Sequence, residues 1–240
     1  MGTFDFEQGK GMNQLNAVFW WMSVCCCICI LTGCDKGEVV PDDSATSNDT
    51  ETIVNNTESP ACPIVTSARE QIGKTTTYDP AYVRLDYPGG DVPIERGVCT
   101  DVVVRALRDA MDMDLQKLLH EDMTAAFSRY PKIWNLSRPD RNIDHRRVPN
   151  LQCYFQRKRY SLQVSADKSD YLPGDLVTCL VASRRPHIMI VSDRMTSDGM
   201  PLVIHNIGRG TKEENRLFDF PLTGHYRIKP ELVPKNWSGV

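Results

Sequence analysis

One cysteine in this chain stands where a turn runs into an amphipathic helix. Gly97-Val98-Cys99-Thr100-Asp101 leads directly into a run from Val102 to Met111. In that run Val103, Leu107, Ala110 and Met111 recur at helical spacing, whereas Arg105, Arg108 and Asp109 are expected to face water. Cys99 therefore falls in the first helical turn, where partial positive charge favours an anion and eases ionisation of a thiol. A thiolate is a nucleophile, so the chemistry on offer is covalent catalysis at a carbonyl. A buried cysteine also serves as ordinary packing, so its partners must decide between the two.

A thiol nucleophile needs a histidine to move its proton and a polar group to orient that histidine. Of the five histidines, His120 falls in the charged Leu119-His120-Glu121-Asp122 part of a helix and reads as a surface residue. His225, beside Tyr226, reads as structural. His145 lies in the polar run Asn142-Ile143-Asp144-His145-Arg146-Arg147, which either holds substrate or is simply solvated. His187 opens an apolar strand after Arg184-Arg185-Pro186, and His205 closes the next one, followed by Asn206. A hairpin between those strands brings His187 and His205 side by side.

The elements that must position these residues divide into two groups. Helices are expected from Pro63 to Ile72, from Cys99 onward, from Leu115 to Tyr130 and from Val148 to Lys158. After Pro173-Gly174 the pattern changes to strands, at 175–181, 187–192, 202–205 and 224–228, with Ser197-Asp198-Gly199 turning a hairpin. Helices first and an antiparallel meander afterwards make an α+β plan.

The 240 residues carry 28 Lys and Arg against 31 Asp and Glu, a net charge of −3 with no basic run, so nucleic acid is not an expected partner. Ala17 to Leu31 is almost wholly apolar and, at about 15 residues, is shorter than the roughly 20 that span a bilayer. It fits an export signal over residues 1–33, with Met1 and Met12 both open as the start. The ending Leu31-Thr32-Gly33-Cys34 resembles the lipobox of bacterial lipoproteins. That resemblance implies a lipid on Cys34 and a protein held at a membrane facing the periplasm. Asp35 resembles the retention signal of the inner membrane. Residues 34–60, with Asp42-Asp43-Ser44 and Asn55-Asn56-Thr57, are too polar to bury a core and read as a tether. Residues 61–240 are then one domain. Of nine cysteines, Cys62, Cys99, Cys153 and Cys179 remain there. Their spacing holds no zinc pattern, and neither a metal nor an organic cofactor is expected. In an oxidising compartment Cys153 and Cys179 are the expected pair.

The helix-start Cys99, Pro173-Gly174-Asp175-Leu176-Val177, His187-Ile188-Met189-Ile190-Val191 and Ile204-His205 together resemble the NlpC-type cysteine peptidases of bacterial cell walls. More closely, Tyr78-Asp79-Pro80-Ala81-Tyr82, Tyr87-Pro88-Gly89-Gly90-Asp91, the Cys99 segment, His145 to Leu151 and Ile204 to Gly208 are similar to a proteobacterial lipoprotein family, domain of unknown function 1287. That similarity covers about residues 65–228. The resemblance implies a papain-like α+β fold with N-terminal helices packed on an antiparallel sheet. It also implies Cys99 as nucleophile, His187 as general base and His205 as the group orienting it. In those peptidases a tyrosine some dozen residues before the cysteine assists the oxyanion. Tyr87 has that spacing and Tyr82 is the alternative, with the Cys99 backbone N–H as second donor. Asn206, His145 and Arg146 are further candidates for the site, and Arg146 and Arg147 would bind either a substrate carboxylate or a neighbouring loop. The chain departs from the peptidases where Val98 precedes the cysteine and Thr100-Asp101 follows it. Asp101 either caps the helix or raises the thiol's pKa. The implied activity is amide cleavage in peptidoglycan stem peptides. Two alternatives are acyl transfer or deacylation of lipid on the same scaffold, and a non-enzymatic module that binds cell-wall peptide.

Overall fold

In the computed structural model the described residues are 62–229 together with a strand at 53–55. The expected export signal, Cys34, Asp35 and most of the expected tether lie outside them. In chain order the elements are β1 (Ile53–Asn55), α1 (Pro63–Arg69), β2 (Thr77–Tyr78), β3 (Arg96–Gly97), α2 (Cys99–Met111), α3 (Leu115–Ala126) and α4 (Val148–Arg157). Then follow β4 (Ser161–Leu162), β5 (Leu176–Val181), β6 (Arg185–Thr196), β7 (Pro201–Asn206), β8 (Thr211–Glu214) and β9 (Leu222–Tyr226). The result is mixed α and β, with four α-helices among the described residues and an antiparallel sheet in the order β4-β9-β5-β6-β7-β8. β2 and β3 form a separate parallel pair. None of the described helices is long and apolar enough to cross a membrane.

The pleat of the sheet explains why its strands read as nearly continuous apolar runs. Leu176, Ile188, Ile190 and Ile204 belong to one core with Val65, Ala68, Val102, Val103 and Leu107 of α1 and α2. Val177, Cys179, Met189, Val191 and Val203 point to the other face, into a second core closed by Tyr171 and Leu217. With both faces covered, alternation of apolar and polar residues disappears.

Asp175 ties the sheet together ahead of β5. Its carboxylate accepts from the Leu172 amide at 2.9 Å, from His225 Nε2 at 2.8 Å and from two nitrogens of Arg227 at 2.7 Å each. Gly174, just before it, has φ +87° and leaves no room for a Cβ, which would lie 2.7 Å from Cys62 Sγ. The Gly-Asp pair thus has a local structural cause.

Three expectations are corrected here. Arg105 does not face water: the residue is 4 % exposed. It bonds Asp91 through two nitrogens at 2.7 and 3.1 Å and also the carbonyls of Val92 and Arg96, because the 75–97 segment wraps over α2. Residues 53–55 are not tether but a β-strand that pairs with Arg194–Thr196 of β6. Ile53-Val54 is a β-branched couple within a polar stretch, suited to extending a sheet edge. Cys153 and Cys179 are free thiols. The first is on α4, donating to the Arg129 carbonyl at 3.4 Å, and the second belongs to the core on the far side of the sheet.

Candidate functional site

α2 begins at Cys99 because several groups fix that turn. The Val98 amide donates to Asp101 Oδ2 at 2.6 Å, so the third helical residue caps the helix with its carboxylate. A Cβ on Gly97 would lie 3.2 Å from that same oxygen and 3.3 Å from Arg105 Nη1, which explains a glycine two residues before the cysteine. Asp101 in turn is held by Arg146, whose Nε and Nη2 each donate to it at 2.9 Å, with both side chains buried. Arg146 also donates to the carbonyls of Ala81 at 3.0 Å and Asp79 at 2.9 Å.

The thiol lies where β6 and β7 part. The last residues paired between those strands on that side are Ile190 and Ile204, although β7 runs on to Asn206. In the opening, Asn206 Nδ2 donates to the Gly97 carbonyl at 3.0 Å. The backbone N–H groups of Ile188, and of Cys99 and Thr100 at the helix start, face the Cys99 sulfur and favour its ionised form. Tyr78 lies near the same sulfur, and the two residues line one groove.

One residue before Ile188 stands His187. Its Nε2 is 2.8 Å from Nδ1 of His205, the two rings meeting edge to face with centroids 5.1 Å apart. His205 Nε2 is 3.2 Å from Glu214 Oε2, on β8, and Arg216 donates to that same oxygen at 3.1 Å. No hydrogen bond joins His187 to the thiol among the described residues. Along β6, His187 is the immediate neighbour of Ile188, the residue whose backbone faces the sulfur.

Burial dominates the titration of these groups. It pushes the Cys99 thiol up to about 11, with a smaller push from Asp101, against the N–H groups of Ile188, Thr100 and Cys99. The helix start therefore acts on the thiol in the expected direction but is outweighed. Burial lowers His187 to about 3, helped by His205, and lowers His205 itself despite the Glu214 carboxylate. Burial also raises Tyr78 to about 12, so its hydroxyl keeps its proton. At rest the thiol and the imidazole are both neutral.

The groove leading to the sulfur has a volume of about 310 Å³ and is lined by Tyr78, Pro80, Ile133, Trp134, Ile143, Val148, Pro149 and Pro186 with Cys99. Arg147 stacks on Trp134 at 4.2 Å and pairs with Asp144 at 3.1 Å, while Arg146 is committed to Asp101. The groove is mostly apolar, and the charges of its arginines are already matched. Among the described residues no group of three His, Cys, Asp or Glu side chains is disposed to hold a metal ion.

Several sequence candidates fall elsewhere. Tyr87 packs against His120 at 5.3 Å and under Arg141 at 5.4 Å, so the hydroxyl at the thiol belongs to Tyr78 instead. Tyr82 is exposed and bonds Asp140 and Asn142 at 3.0 Å each. The dozen-residue spacing misled because the 79–97 segment wraps around α2, and β2 returns Tyr78 to the helix start by pairing with Gly97. His145 is neither solvated nor in the groove. It is buried, its Nδ1 lacks a partner, and burial together with Arg146 lowers it to about 4. Arg146 is a structural clamp. Glu214 and Tyr78 were missed as site residues. Glu214 sits on a short polar strand, and Tyr78 was signalled only by its place in the Tyr78-Asp79-Pro80 cluster.

Comparison with known proteins agrees over this same region. Residues 65–228 match the family described as a domain of unknown function (DUF1287). The chain is also 57 % identical over 164 residues to the uncharacterized protein YijF of Escherichia coli strain K12, covering 68 % of this chain and 80 % of that protein. With 65–228 spanning well over half its length, the chain belongs to the DUF1287 family.

Proposed function

We propose that the protein is a membrane-anchored cysteine hydrolase of the papain-like, NlpC type that cleaves amide bonds in peptidoglycan stem peptides at the periplasmic side. The observation carrying this reading is the hydrogen-bonded His187–His205 pair on β6 and β7, with His187 one residue along β6 from Ile188, whose backbone faces the Cys99 sulfur at the start of α2. Attack by Sγ on a carbonyl carbon would pass the thiol proton to His187, which spares the buried site a free thiolate in the resting state. The carbonyl oxygen takes up negative charge in the tetrahedral intermediate. The Cys99 N–H and the Tyr78 hydroxyl would serve as the donors that receive it. His187 then gives its proton to the leaving amine, leaving a thioester, and water activated by the same imidazole completes hydrolysis. The apolar export segment and the Cys34 lipobox support the location.

The apolar groove favours a second reading, in which the acyl group accepted by Cys99 comes from a lipid rather than a peptide. The two separate cleanly. Cys99→Ala is expected to abolish release of peptide fragments from purified sacculi while the fold persists. Release of fatty acid from phospholipid vesicles with none from sacculi would establish the lipid reading. Binding to sacculi that survives in Cys99→Ala, with no turnover by wild type on either substrate, would make the protein a binding module.

A further inference from the structure

We propose that Glu214 is a positioning residue that sets the tautomers of both site histidines and so keeps Nδ1 of His187 bare to act as the base. This rests on the reading of Cys99 and His187 as nucleophile and base.

The argument starts from what each atom can do. A carboxylate only accepts hydrogen bonds, whereas a neutral imidazole donates from one nitrogen and accepts at the other. Glu214 Oε2, 3.2 Å from His205 Nε2, therefore requires the proton of His205 on Nε2. That leaves His205 Nδ1 bare, and it can only accept. Its neighbour at 2.8 Å is His187 Nε2, which must then carry the proton of that ring. The lone pair of His187 is consequently at Nδ1, the one ring nitrogen not engaged with His205. A carboxylate two hydrogen bonds away thus decides that the base is bare at Nδ1.

Burial makes the chain directional. His187 and His205 are 3 % and 1 % exposed, so the bond between the two rings is shielded from water. Without Glu214, the polar groups around His205 Nε2 change sign. The cavity there, about 440 Å³, is lined by Arg209, Lys212 and Arg216, all donors. Donors favour a bare Nε2, which moves the His205 proton to Nδ1. His205 Nδ1–H would then donate to a bare His187 Nε2, placing a proton on His187 Nδ1 and capping the base. No geometry need change for the site to fail, as a wrong tautomer alone disables a histidine base.

The test reads tautomers directly on the full chain with ¹⁵N-labelled histidine. The wild type is expected to show both His187 and His205 protonated at Nε2 and bare at Nδ1. In Glu214→Leu both are expected to switch to Nδ1–H. In Glu214→Gln, whose amide oxygen still accepts, they are expected to stay. Alkylation of Cys99 by iodoacetamide at neutral pH should fall on the order of 100-fold in Glu214→Leu, within the range a positioned base contributes, and recover in Glu214→Gln. Unchanged signals of His120, His145 and His225 report that each variant is folded. Unaltered tautomers in Glu214→Leu overturn the proposal. So does a wild-type spectrum with His187 protonated at Nδ1, a result that needs no variant to fold. If the tautomers switch but His187→Ala leaves alkylation unchanged, Glu214 does govern the ring pair and it is the nucleophile–base reading that falls.

Discussion

Arg146 and Asp101 form a buried ion pair across 45 residues of sequence, with two nitrogen–oxygen contacts of 2.9 Å. The pair does more than join two loops. Asp101 caps the helix that presents Cys99, yet its negative charge also raises the thiol. Arg146 supplies the opposing charge at the same spot. Its remaining bonds, to the carbonyls of Asp79 and Ala81, steady the segment that carries Tyr78. One guanidinium thus fixes the carboxylate that caps the nucleophile's helix and holds the segment that carries Tyr78.

Replacing Arg146 by Met should be costly because Asp101 would remain as an uncompensated buried charge. A loss of about 3–5 kcal/mol is expected for breaking one side of such a pair. Urea unfolding would measure it. Asp101→Asn added to Arg146→Met should restore part of that stability, since the stranded charge is gone. A double variant no more stable than Arg146→Met would show that the cost lies in the lost carbonyl contacts instead.

Tyr78→Phe separates a role in charge stabilisation from a role in holding the thiol. Removal of one oxyanion donor is expected to lower turnover on the order of 100-fold. Alkylation of Cys99 by iodoacetamide creates no oxyanion and should change little. Equal losses in both assays would mean that the hydroxyl mainly positions the sulfur. Tyr87→Phe, set against His120 and away from the thiol, is the comparison and should leave both near wild type.

The pH dependence of the site follows from burial. Burial, with His205 adding to it, lowers His187 to about 3, so the base stays neutral far below the ordinary imidazole value of about 6.5. The acid limb of kcat/KM should accordingly fall below about pH 5 rather than near 6.5. Burial raises Cys99 to about 11, so direct alkylation should keep rising through the alkaline range, past the 8.5 or so of a free thiol. An inflection at or below that value would show a thiolate already present at rest.

The helix at Cys99, the turn at Gly174 and the strands carrying His187 and His205 were legible because each rests on local pattern: helical spacing, a turn glycine, apolar runs. What was not legible depended on how the chain returns on itself. Arg105 looks solvated on its own helix, and only the 75–97 wrap buries it among carbonyls. Tyr87 has the better spacing to the cysteine, yet Tyr78 is delivered by a two-residue parallel strand pair that propensity cannot signal. Glu214 lies on Thr211-Lys212-Glu213-Glu214, whose composition suggests a solvated loop. It is a strand because its backbone pairs with β7, placing Lys212 opposite His205 and Glu214 opposite Val203.

Asp175 offers a test of whether the Gly-Asp motif before β5 is structural. Its carboxylate is 1 % exposed and bonds Leu172, His225 and Arg227. Burial alone would raise its pKa, but hydrogen bonds from Arg227 and His225 and the Arg227 charge hold it below the usual carboxylate value. A carboxylate lowered in the folded state contributes stability above its unfolded value of about 3.9, and that contribution is lost as pH falls through the folded value. Asp175→Asn keeps the shape but removes the charge from a site facing a cation and a histidine. A loss of about 3–5 kcal/mol at neutral pH is expected, as for a buried pair broken on one side. Because the variant has no carboxylate here to titrate, its deficit relative to wild type should shrink as pH falls below 4. A deficit independent of pH in urea unfolding across that range would place the cost in packing rather than charge. Cys99 alkylation in the folded variant should remain near wild type, since Asp175 bonds the segment before β5 and the far strand β9 rather than the opening between β6 and β7.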